Sequence, residues 1–149
     1  MAPALPRRTA RASAVLLTAA APVGQNEARF SEAFPDPASG LLLVLVAALA
    51  PDGRSAVGAF TPASLARPAL SADSSPTSQS FAFLIDRAGQ VLFESGAPPP
   101  EFDLAQHPGV AEALRGESGT LYLPVGESEH VVAYTPVNLP GWALVIEEP

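Results

Sequence analysis

The sequence predicts an α+β fold, in which an antiparallel five-stranded sheet with a short flanking helix follows an irregular N-terminal segment. Three observations carry that expectation. Seventeen prolines and eleven glycines in 149 residues favour short strands and turns, because proline stops helices and lacks a ladder donor. The second half of the chain alternates strand-length apolar runs with turn signals. One short stretch at helical spacing interrupts those runs, giving the order strand, strand, helix, strand, strand, strand.

The N-terminal third is the least regular. Arg7, Arg8 and Arg11 precede an apolar run at residues 14–21, which reads either as the start of a signal peptide or, over 14–19, as a strand of a truncated domain. Residues 24–40, with Pro35, Asp36 and Pro37 together, read as a surface loop. The unbroken apolar run 41–50 suits a strand covered on both faces. Pro51-Asp52-Gly53-Arg54 turns it into a second strand at 55–60, with Gly53 supplying the positive φ. Thr61 and Pro62 fit the N-cap and first position of a helix of little more than two turns that Pro68 interrupts. The Ser/Thr/Pro-rich stretch 71–80 reads as a connection.

From Phe81 the pattern sharpens. Phe81-Ala82-Phe83-Leu84-Ile85 and Gln90-Val91-Leu92-Phe93-Glu94 flank Asp86-Arg87-Ala88-Gly89, a hairpin in which Asp86 accepts from turn amides and Gly89 takes a left-handed conformation. Pro108 opens and Gly116 closes a short helix whose Val110, Ala111 and Leu114 share a face. Three strands follow at 118–124, 129–135 and 142–147. The chain therefore divides into an irregular segment 1–40, a strand hairpin with a short helix at 41–70, a linker 71–80 and a lobe 81–149.

Composition excludes several functions. At 48% hydrophobic and 15% charged residues the chain can bury a core. Its net charge is −7 and it contains no lysine, so nucleic acid is not an expected partner. Schiff-base and P-loop chemistry are excluded for the same reason. The chain has no cysteine, which rules out disulfides and thiolate ligands. The longest apolar run is half the roughly 20 residues a membrane helix needs.

No catalytic constellation emerges. His107 and His130, near Asp103 and Glu129, lack ligand spacing and read as surface residues, so no metal site and no cofactor are expected. Gly116-Glu117-Ser118-Gly119 and Gly126-Glu127-Ser128 do not form a nucleophile elbow. The acidic pairs Glu127/Glu129 and Glu147/Glu148 read as solvated charge. Phe83, Tyr122, Tyr134 and Arg115 are the candidate ligand-binding residues. Together they would line a pocket between the sheet and segment 95–115 suited to a carboxylate-bearing metabolite. The competing reading packs Tyr134 and Trp142 on the sheet.

Four blocks in this order resemble the membrane-proximal lobe of double Cache (PDC, PAS-like) sensor domains. They are Phe83-Leu84-Ile85-Asp86-Arg87-Ala88-Gly89-Gln90-Val91; His107-Pro108-Gly109-Val110 with Ala113-Leu114-Arg115-Gly116-Glu117-Ser118-Gly119; Val131-Val132-Ala133-Tyr134-Thr135-Pro136-Val137; and Gly141-Trp142-Ala143-Leu144-Val145-Ile146-Glu147-Glu148-Pro149. The resemblance implies a Cache fold and a non-enzymatic signal-input role outside the cytoplasmic membrane, periplasmic or at the cell surface. It also implies a membrane-bound parent such as a sensor histidine kinase, with the membrane reached only through helices absent from this chain. The expected partners are a small-molecule ligand and a second copy in a homodimer. The arginine, tryptophan and tyrosine motif of amino-acid sensors is missing, so amino-acid sensing is not implied. The alternative is a stand-alone PAS-like interaction or dimerisation module, whose apolar run 41–50 would need cover from a partner.

Overall fold

The computed structural model describes residues 27–71, 80–96, 98 and 103–149. The readings of residues 1–26, and the linker over 72–79, lie outside them. Strand β3 (Leu42–Leu49) is the apolar run expected at 41–50, and it hydrogen-bonds to three others. These are β1 (Ala28–Phe30), β2 (Phe34–Pro35) and β4 (Ser55–Phe60), all antiparallel to it. The consecutive residues Val44 and Leu45 are both buried, as a strand covered on both faces requires. The stretch 24–40 corrects the sequence reading: its polar surroundings hide two very short strands. Phe30 and Phe60 meet edge to face with centroids 6.3 Å apart, which anchors β1 despite its length. Between β2 and β3, the Ser39 hydroxyl and then the Ala38 amide hold the Asp36 carboxyl below its usual range.

The chain divides between Thr61 and Pro62. The second unit opens with helix α1 (Pro62–Ser71), which runs past Pro68 where a stop was expected. A proline forfeits one intrahelical bond and crowds one carbonyl, yet the helix continues as far as Ser71. It packs against β6 (Val91–Ser95).

The five-stranded sheet has the order β6-β5-β9-β8-β7, with β5 (Phe81–Ile85), β7 (Gly119–Val125), β8 (Ser128–Val137) and β9 (Trp142–Glu148). All its pairs are antiparallel. A 3₁₀ turn (Leu104–Gln106) and α2 (Val110–Leu114) lie between β6 and β7 in the chain. The turn packs on β5, and α2 packs on β8 and β9. Phe81, Phe83, Ile85, Val132, Ala143 and Val145 form the core with Leu104, Val110 and Ala113. Helix α2 starts two residues later than read, because Gly109 at φ 90° is its N-cap and Pro108 lies in the preceding turn. Val110 and Ala113 face the sheet, while Ala111 is exposed.

The β5–β6 turn forms as its residues dictate. Asp86 Oδ1 accepts from the amides of Ala88 (2.9 Å) and Gln90 (2.8 Å), and Gly89 has φ 79°. Asp86 is nearly buried at 8% exposure, so its loss would leave the two amides of this turn without their side-chain acceptor. Asp86→Ala is expected to destabilise the fold by about 1–2 kcal/mol, read as a lower urea midpoint with unchanged slope.

Candidate functional site

Strand alternation sets up the site. Residues at 143, 145 and 147 of β9 share the core face, as do 130, 132 and 134 of β8 and 81, 83 and 85 of β5. Glu147 stands between Phe81 on one neighbouring strand and Val132 on the other. His130 occupies the same face, diagonal to Glu147. His107 arrives from the opposite layer. The Asp103 carboxylate caps the 3₁₀ turn through the Ala105 amide. His107 then ends that turn in the extended conformation imposed on a residue before proline, φ −63° and ψ 137°.

The three side chains meet in one buried network. Glu147 is 1% exposed and His107 3%. His107 Nε2 lies 2.6 Å from Glu147 Oε2, and His130 Nδ1 lies 2.5 Å from Oε1. The rings of Phe81 and Phe83 stand nearly perpendicular to that of His107, with ring centroids at 5.9 and 5.2 Å. His107 Nδ1 is 2.8 Å from the Pro108 carbonyl. That carbonyl can only accept, so Nδ1 carries a proton. Nε2 then shares a second proton with Glu147, as an imidazolium beside a carboxylate or an imidazole accepting from the acid. Either way no charge in the network is left without a partner. The imidazoles take opposite oxygens of one carboxylate. Among the described residues no three such donors converge as a metal requires.

These residues correct the sequence reading twice. The histidines are not ordinary surface residues and do not pair with Asp103 or Glu129. Glu147, read as solvated because it stands near the end of the sequence, is among the most buried side chains. Alternation within Trp142-Ala143-Leu144-Val145-Ile146-Glu147 was the available signal, since it puts Glu147 on the same face as Val145.

The four candidate ligand residues separate. Phe83 and Tyr134 share the core face: Phe83 is wholly buried and Tyr134 packs against the core from its margin. Tyr134 also lies close over Gly109, where a Cβ would come within 2.9 Å of its ring. Tyr122 alternates to the other face of β7 and is 66% exposed. Arg115 lies beyond α2 in ion pairs with Glu117 (3.2 Å) and Glu112 (3.4 Å), and the Glu117 carboxylate pushes its guanidinium further up. It borders a cleft of about 90 Å³ together with Arg87, Asn138 and Trp142. Arg87 has no carboxylate partner among the described residues.

No protein-family model and no curated protein matches the sequence. Solved structures do. The extracellular domain of rpHK1S-Z16, assigned as a histidine kinase, matches at 16% identity with a TM-score of 0.54 over 98% of this chain and 61% of that one. The ligand-binding domain of the Pseudomonas aeruginosa PAO1 amino-acid chemoreceptor PctC, solved with GABA, matches at 22% identity and TM-score 0.50 over 100% and 65%. The ligand-binding domain of the Campylobacter jejuni chemoreceptor Tlp3, solved with 4-methylisoleucine, matches at 18% identity and TM-score 0.50 over 83% and 48%. This chain thus spans about half to two thirds of each domain. No helix among the described residues is long and apolar enough to cross a membrane. The chain has the α+β, PAS-like Cache fold of these receptor sensor domains.

Proposed function

We propose that this chain is the signal-input part of an extracytoplasmic receptor such as a sensor histidine kinase, responding to a small molecule and performing no chemistry of its own. The observation that carries the reading is the sheet, β6-β5-β9-β8-β7 with a 3₁₀ turn and short helix between β6 and β7. Its fold is that of three receptor domains solved as extracellular or ligand-binding modules. Nothing in the fold favours a stand-alone interaction module. Binding would work by population shift, favouring one arrangement of sheet and helix over another.

The ligand class that fits is a small carboxylate at the Arg87–Arg115 cleft. Two glutamates already balance Arg115, which leaves Arg87 as the attracting charge, and a guanidinium fork matches a carboxylate. A thermal-shift screen of the whole chain against small carboxylates, amines and purines tests the reading. A binder at a hundred times its Kd should add about 2.7 kcal/mol of stability, and Arg87→Ala should abolish the shift. If no compound raises the melting temperature, ligand sensing by this chain is wrong. A shift that survives Arg87→Ala moves the site elsewhere.

A further inference from the structure

We infer that the His107–Glu147–His130 network is a latch that couples the start of α2 to the end of the terminal strand β9. The topology makes this carboxylate a buried polar link between the two layers. His107 stands two residues before the N-cap of α2, and Glu147 is the penultimate residue of β9. His130 adds a second hold on Glu147 from β8. Around this network, the two layers meet through apolar side chains such as Val110, Ala113 and Val145. Apolar contacts tolerate sliding, whereas hydrogen bonds are lost within fractions of an ångström.

The latch therefore gives the interface two discrete settings. With His107 seated, Glu147 has both oxygens satisfied and the end of β9 is fixed. When the segment carrying His107 shifts, Oε2 loses its partner inside the core. The carboxylate must then be re-solvated, and a route to water lies toward His130, whose side chain is 16% exposed. That movement draws on Glu147, and so on the last residues of β9. If the chain is a signal-input module, this is the step that would carry a displacement at α2 to the outgoing end of the sheet. The coupling itself needs no ligand, so it can be measured whether or not the sensing reading stands.

Amide hydrogen exchange on the full chain provides the test. His107→Phe keeps the aromatic volume but cannot bond Glu147, and Glu147→Leu removes the carboxylate without leaving a large hole. The latch predicts that each change acts across the interface. His107→Phe should speed exchange at residues 145–148 by about tenfold or more relative to the β5–β6 hairpin, and Glu147→Leu should do the same at residues 109–113. Glu147→Gln, which can still accept from one imidazole and donate to the other, should change both by less than about threefold. The inference is overturned if each substitution perturbs only its own side, or if Glu147→Gln behaves like Glu147→Leu. If one disrupting variant does not fold, the other decides by the same criterion.

Discussion

Replacing Glu147 by alanine is expected to lower the unfolding free energy by about 3 kcal/mol, while glutamine there costs about 1 kcal/mol or less. Alanine leaves His107 Nε2 and His130 Nδ1 facing a cavity in a region where Glu147 and His107 are almost wholly buried. Removing one member of a buried pair costs more than the pair contributes, because the survivor stays desolvated. An imidazole can shed its proton, which puts the expected loss at the low end of the range for such pairs. The amide of Glu147→Gln restores the pattern: its oxygen accepts from His130 Nδ1–H and its NH₂ donates to an unprotonated His107 Nε2. His107 Nδ1 keeps its bond to the Pro108 carbonyl throughout. Urea unfolding of the three proteins checks the order, with alanine far below and glutamine close to the parent. Equal losses for both variants would mean that a full carboxylate charge, rather than a hydrogen-bonded bridge, is what the core requires.

Much of the sheet was legible in the sequence, because its rules are local. The Asp86–Gly89 turn and the strand spans of the last 70 residues follow from turn chemistry and period-two alternation, which neighbouring residues alone determine. β1 and β2 were not legible. Three and two residues are too few for a period to appear, and both exist only because β3 supplies a ladder partner. The site was legible in part. Phe83 and Tyr134 fall on one face as their strands require, but Tyr122 occupies an even position of β7 and is turned away. Arg115 engages Glu112 and Glu117 instead of the sheet, and the spacing of Glu112 three residues before it was a local cue to that pairing. The histidine–glutamate network was the least legible feature, for a physical reason: Glu147 and His107 are 40 residues apart. What makes Glu147 a core residue is that β9 pairs on both edges, with β5 and with β8, and pairing is a property of topology.

The second large effect belongs to Phe83. Phe83→Ala is expected to cost about 3–5 kcal/mol, and Phe83→Leu about 1 kcal/mol. The ring is fully buried, stacks on Phe81 with centroids 6.2 Å apart, and meets His107 at 5.2 Å. The strand beneath is pinned between β6 and β9, so the backbone cannot collapse into the space that alanine would leave. A loss below about 1 kcal/mol would instead place Phe83 beside open volume and favour its role as a pocket wall. Against the 5–15 kcal/mol that domains of this kind possess, the alanine variant should remain folded but melt at a markedly lower temperature. The two substitutions should also fail to add. Phe83 and Glu147 both touch His107, so once one is gone, His107 is already free to shift and the second loses less. The double variant is expected to fall short of the summed losses by about 0.5 kcal/mol or more. Strict additivity would show that His107 is held independently by its ring neighbours and by its hydrogen bond, and that the aromatic corner and the carboxylate bridge are separate devices.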